Sequence, residues 1–126
     1  MGYDACIRDP TNTSRDAPEG AWVMTIHLSY NHGVIFKKYG FYPRDLNGFT
    51  IREVLVVLDA AIAEMQDDGI IVDTELLDFL ASGTDEDMRL RQRCYEADIS
   101  VVLTLLLDVK RLLSRQRLQH CIWESD

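Results

Sequence analysis

The sequence predicts an α+β domain: a small antiparallel sheet of two N-terminal strands packed by helices, with a long C-terminal helix. Three observations predict it. Ala21 to Ser29 alternates with a period of two, with Trp22, Met24, Ile26 and Leu28 on one face and Val23, Thr25, His27 and Ser29 on the other. That is the pattern of a strand with one buried face. Thr50 and Glu53 form a capping box ahead of Ile51, Val54, Leu55, Leu58, Ala61, Ile62 and Met65, whose spacings of three and four draw one continuous apolar stripe along a helix. The last third of the chain carries the apolar run Ile99 to Leu107. With 126 residues, 47% hydrophobic and 27% charged, the chain has the size and balance of one folded domain spanning 1–126.

The elements follow in order. Tyr3 to Ile7 reads as a short strand stopped by Asp9-Pro10, and the polar, Pro- and Gly-containing stretch 9–20 reads as a surface loop. The two strands are expected to be antiparallel neighbours joined by residues 8–20, and a ribbon of two strands needs helices packed on it. Val34 to Tyr39 reads as a short helix ended by Gly40, then Phe41 to Phe49 as a turn-rich passage. Phe49 stands before the Thr50 cap, placed to staple onto the first turn, and Gly69 after Asp67-Asp68 supplies the left-handed stop. A helix from about Glu75 to Ala81 follows, capped by Asp73 or Thr74 and ended by Gly83. Thr84 is expected to cap a single long helix from Asp85 to about Gln119.

Charge is concentrated. The window Asp45–Asp87 holds twelve acidic residues and one basic one, Arg52, within a chain of net charge −8. Such a field favours basic partners and repels nucleic acid and anionic membrane. The window supplies the candidate binding face: Glu53, Glu64, Asp67, Asp68, Asp73, Glu75, Asp78, Asp85, Glu86 and Asp87. Cys6, Cys94 and Cys121 are odd in number and far apart, so no disulfide framework or zinc site is expected, and reduced cytosolic thiols fit better. Met1-Gly2-Tyr3-Asp4 lacks the basic start and apolar run of a signal peptide. The Ile99–Leu107 run is about half the ~20 residues that span a bilayer. A cytoplasmic location is expected.

There is no Gly-rich phosphate loop, and Asp85-Glu86-Asp87 and Asp67-Asp68-Gly69 lack the alternate-position ligands of a calcium loop. A helix start and a helix stop explain both, so no cofactor and no metal are expected. His27, Tyr30, Asn31 and His32 form the one cluster resembling an active site. They follow a strand, and a histidine can act as general base. No acidic residue or nucleophile stands near them at a telling spacing. The reading preferred is therefore an outward-facing His27, with Asn31 and His32 making turn and cap hydrogen bonds. Tyr39, Phe41, Tyr42 and Phe49, beside Lys37, Lys38 and Arg44, read as a core anchor rather than a base-stacking platform. Two helix faces carry a second apolar stripe: Val56, Ala60 and Ala63, and, in the last helix, Val101, Leu105 and Leu112. Each marks either a central helix or an oligomer seam.

Certain segments carry a resemblance. Tyr3-Asp4 with Arg8-Asp9-Pro10 opens the chain. Thr25-Ile26-His27-Leu28-Ser29-Tyr30-Asn31-His32-Gly33 runs into Ile35-Phe36 and Tyr39-Gly40, and the last helix leads to Ile122-Trp123-Glu124-Ser125-Asp126. This resembles a family of small uncharacterised proteins of tailed bacteriophages, prophages and their hosts, whose pattern is an opening Y-D…D-P, a central T-Y-N-Y/H with aromatics, and a closing W/F-x-x-D. Asn47-Gly48-Phe49-Thr50 departs from the family's usual G-K-T turn, and residues 66–98 follow no family pattern. The resemblance implies a phage-related accessory role in a bacterial host and carries over no active site.

The functional expectation is a non-enzymatic protein that binds a protein partner with a basic surface through its acidic face. An inhibitor that mimics DNA is the sharpest form, since carboxylates can occupy sites shaped for phosphates. The alternative is an oligomeric assembly component, a homodimer in its simplest form, held by apolar helix faces. An enzyme built on His27, Tyr30, Asn31 and His32 is the third.

Overall fold

In the computed structural model, which describes residues 2–84 and 86–125, the chain runs β1 (Gly2–Asp9), β2 (Ala21–Ser29), α1 (Gly33–Lys38), α2 (Ile51–Asp67), α3 (Thr74–Ser82), α4 (Met88–Arg93), α5 (Ile99–Leu113) and β3 (Ile122–Ser125). The fold is α+β, as expected, with a sheet of order β2-β1-β3 and antiparallel pairing throughout. Tyr3, Ala5 and Ile7 alternate onto the helix-covered face and enter the same core as α2 and α5. Asp4, Cys6 and Arg8 point to the opposite face, where Thr25, His27 and Glu124 join them as their cross-strand neighbours. Gly20 closes the β1–β2 connection at φ +119°, and a Cβ there would lie 2.2 Å from the carbonyl oxygen of Asp9. Only glycine fits such an approach.

One residue of the expected buried stripe is misplaced. Met24 pairs with Ile7, but Trp22 pairs with Arg8, so the ladder shifts by one residue there. This bulge turns Trp22 onto the open face of the sheet, where it is 58% exposed.

The Thr50–Glu53 capping box is complete. The Thr50 hydroxyl accepts the Glu53 N–H at 3.2 Å, and the Thr50 N–H donates to Glu53 Oε1 at 3.0 Å. Ile51, Val54, Leu58, Ala61, Ile62 and Met65 are buried, while Val56 and Ala60 on the far side of α2 face solvent. Asp73 caps α3, and Gly83 ends it in the left-handed conformation.

The single helix expected from Asp85 to about Gln119 is instead two. Asp87 caps α4 by accepting the N–H groups of Arg89 and Leu90, and Asp98 caps α5 by accepting that of Ser100 at 2.8 Å. Thr84 does not cap α4; its backbone N–H donates to Ser82. A carboxylate that satisfies first-turn N–H groups competes with continuing the preceding helix: Asp98 does so here, while Asp87 sets the start of α4 at Met88. The turn at 94–98 lets α5 lie centrally. Val102, Leu103, Leu106, Val109 and Leu113 join the main core, while Val101 joins Leu76 and Leu90 in a second cluster bordered by Leu105 and Cys94. Of the second apolar stripe of this helix, Val101 is thus buried with Leu76 of α3 and Leu90 of α4 and Leu105 is half-buried beside them, while Leu112 is half-buried outside both clusters.

The third strand departs from the expected two-stranded sheet. Ile122–Ser125 pairs with the free side of β1 and places Trp123 opposite Ile7. Trp123 is fully buried, its Nε1 donating to the Pro43 carbonyl at 2.9 Å. It ends a chain of edge-to-face aromatic contacts through Phe41 and Phe36 to Tyr3, with ring centroids about 6 Å apart. Trp123→Ala is expected to cost about 3–5 kcal/mol, read as a shift in the urea midpoint; a loss below about 1 kcal/mol would mean that β3 is dispensable to the core.

Candidate functional site

The polar cluster lies where β2 ends. His27 stands opposite Asp4 in the ladder, and its Nδ1 is 2.7 Å from Asp4 Oδ1. The acidic partner missing from the local sequence therefore comes from the neighbouring strand. With Nδ1 engaged, Nε2 is the outward nitrogen of a largely exposed His–Asp pair, an arrangement suited to moving a proton. Asn31 and His32 fasten the turn at 94–96 to the end of β2, while Tyr30 engages Arg44 and Tyr3 instead. Asn31 Nδ2 donates to the Tyr95 carbonyl at 3.0 Å, and His32 Nε2 donates to the Glu96 carbonyl at 2.9 Å. Tyr30 accepts from Arg44 Nη2 at 3.3 Å and packs edge-on against Tyr3, 4.6 Å between centroids.

His32 is fully buried, and its Nδ1 has no hydrogen-bond partner among the described residues. Burial pushes the imidazole below its ordinary pKa, opposed by the bond to Glu96. A cleft of about 450 Å³ opens beside it, lined by Asp4, His27, His32, Cys94, Tyr95 and Leu105 among others. Asp4 and Cys94 are the lining groups that local sequence patterns missed. They stand 23 and 62 positions from the nearer histidine, and only the ladder and the 94–98 turn bring them in.

The acidic residues divide into two sets. Several are engaged within the fold: Glu53 in the capping box, Asp68 accepting from the Tyr39 hydroxyl at 2.8 Å, and Asp73 capping α3 while paired with Arg93. Glu75 pairs with Arg89 at 3.0 Å, and Asp87 caps α4. Glu64, Asp67, Asp78 and Glu86 make no ion pair among the described residues. Asp85 lies outside the described residues. Glu64, Asp67 and Asp68 gather at the C-terminal end of α2, which has no basic residue in its last turn.

The two outer edges of the sheet differ. Beside β3, the segment 48–51 covers the edge: Gly48 N–H donates to the Trp123 carbonyl, Trp123 N–H to the Phe49 carbonyl, and Ile51 N–H to the Cys121 carbonyl, all at 2.8–2.9 Å. Beside β2 no further strand pairs among the described residues. A second, shallower depression of about 740 Å³ on the open face is bordered by Asp4, Cys6, Trp22 and Glu124. No helix among the described residues is long and apolar enough to cross a membrane. Compared with protein-family models, curated proteins and solved structures, the chain matches none.

Acid should weaken the fold in two stages. His32 is held neutral in the fold with a pKa below 6.5, so the unfolded chain takes up that proton first and stability falls as pH drops below about 6.5. Asp73 is held below its ordinary value by the Leu76 N–H and by Arg93, and Glu53 by the backbone N–H and hydroxyl of Thr50. Their stabilisation is present above the ordinary carboxylate range and is lost as pH falls through it toward the lowered values. Urea midpoints against pH should show both stages, with His32→Phe flattening the upper one and Asp73→Asn the lower. An Asp73→Asn profile parallel to wild type below pH ~4 would contradict the assignment.

Proposed function

We propose that this chain is a binding protein that engages an extended segment of a partner protein along β2, rather than an enzyme. The observation that carries this is the outer edge of β2. It runs nine residues, Ala21–Ser29, without one Lys, Arg, Asp, Glu or Pro, and no strand pairs with that outer edge among the described residues. Edge strands ordinarily carry charges, prolines or a covering segment to prevent pairing. The β3 edge has such a cover, and among the described residues no strand covers the β2 edge. Its first residues present Trp22 and Val23, 58% and 43% exposed, as an apolar anchor of the sort that fixes strand addition. The phage-related accessory setting follows from the sequence resemblance and belongs to the same proposal.

A second reading keeps the acidic face as the contact. Glu64, Asp67 and Asp68 sit at the negative end of the α2 dipole, where carboxylates are disfavoured. A group retained against that cost would serve a basic partner, in the sharpest case as a mimic of DNA.

Capture from a bacterial lysate with three baits separates these readings: wild type, Val23→Lys with Thr25→Lys on β2, and Glu64→Lys with Asp67→Lys and Asp68→Lys. The edge reading expects the β2 variant to keep its stability yet bind the captured partner at least about tenfold more weakly, a loss of about 1.4 kcal/mol, while the charge-reversed variant still binds. Capture lost only in the charge-reversed variant, and steeply salt-dependent, would move the site to α2. A dimer of wild type by light scattering that the β2 variant dissolves would assign the edge to a second copy.

A further inference from the structure

We infer that Asp9, His120 and Cys121 form a binding site for a zinc-class divalent ion at the end of the central strand. Arg8 pairs with Ile122, so the ladder sets the last residue of β1 beside the His120-Cys121 step that leads into β3. One donor atom from each of the three side chains lies within 4.8 Å of the other two. The His120 Nε2 is 2.9 Å from Asp9 Oδ1, so the imidazole and carboxylate already face each other along the line that a bridging ion would occupy in place of the proton. Asp9 is held in position independently: its Oδ1 accepts the Thr11 N–H at 2.9 Å and the Thr11 hydroxyl at 2.7 Å. The second oxygen, Oδ2, has no hydrogen-bond partner among the described residues. Outer contacts of this type orient a ligating carboxylate.

The donor set selects the ion. Oxygen, imidazole nitrogen and thiolate sulfur together suit zinc, which takes all three at about 2.0–2.3 Å in tetrahedral geometry. Calcium and magnesium require oxygen throughout. Cys121 is buried on the inner side and His120 is about half exposed on the outer side, so three protein donors leave a fourth position facing solvent, open to water or to a ligand atom. Zinc would displace the Cys121 thiol proton to solvent, and the neutral His120 would bind through Nε2 with its own ring proton carried on Nδ1. The bound ion would clamp the start of the β1–β2 connection to the start of β3. Cysteine spacing in the sequence shows none of this, because the carboxylate comes from 111 positions away from the histidine.

The test uses the full chain, stripped of metal with a chelator, then titrated with Zn²⁺ against a competing chromophoric chelator and separately with Co²⁺. Expected are one ion per chain, a Kd of about 1 μM or tighter, and a near-ultraviolet thiolate-to-cobalt band with the visible bands of tetrahedral cobalt. His120→Ala, at an exposed position where folding is not at stake, should lose the band and bind at least tenfold more weakly. Asp9→Asn should weaken binding in the same direction, and Cys6→Ser, Cys94→Ser and His27→Ala should leave it unchanged. Cobalt bound without a thiolate band, a band that survives His120→Ala, or a Kd no tighter than about 100 μM would each overturn the assignment.

Discussion

The structure depends on β1 being paired on both sides. Over Ala5–Arg8 the strand has a neighbour on each side, and its alternation is then decided by one covered and one open face. Tyr3, Ala5 and Ile7 commit the strand to the core, and the remaining positions follow from that choice. Asp4 is set opposite His27, Arg8 reaches Glu124, and Asp9 arrives beside His120 and Cys121. Both ends of the chain are drawn to one strand. The β3 segment brings Trp123 into the core and, with 48–51 covering its outer side, seals one edge of the sheet.

Much of the carboxylate in the middle of the chain is consumed in making helices begin. Asp73, Asp87 and Asp98 each accept first-turn N–H groups, and Glu53 accepts the N–H of the Thr50 cap, a contribution of roughly 1 kcal/mol per cap. The arginines of α4 then meet acids of the window, Arg93 with Asp73 and Arg89 with Glu75. The exposed Arg89–Glu75 pair adds little to stability, but both pairs shrink the field that a basic partner would meet. Among the described residues Glu64 and Asp67 at the end of α2, with Asp78 and Glu86 apart from them, make no ion pair, a smaller set than the sequence distribution implies.

The turn at 94–98 links fold and cleft. It frees α5 to sit between two apolar clusters, and it is tied down by the side chains of Asn31 and His32 through backbone carbonyls. Burying His32 to make one of those bonds leaves its Nδ1 without a partner among the described residues, a cost that local packing has to offset. The same tie brings Cys94 into the cleft beside the His27–Asp4 pair.

The sequence by itself determined the α+β class, the pairing of the two N-terminal strands, the capping box of α2 and the cap and stop of α3. Each of these rests on neighbours within about five residues: alternation, three-and-four spacing, a cap, a left-handed glycine. Tertiary structure alone decided the rest, because the deciding contacts span the chain. A four-residue alternation at Ile122–Ser125 is too short to mark a strand until β1 offers it an edge. A one-residue shift at Arg8 turns Trp22 outward without any change in its local pattern. The apolar run of α5 cannot say whether its second stripe meets solvent or α3 and α4. Asp4 with His27, and Asp9 with His120 and Cys121, are partners only through register, which is a property of the ladder and not of either strand.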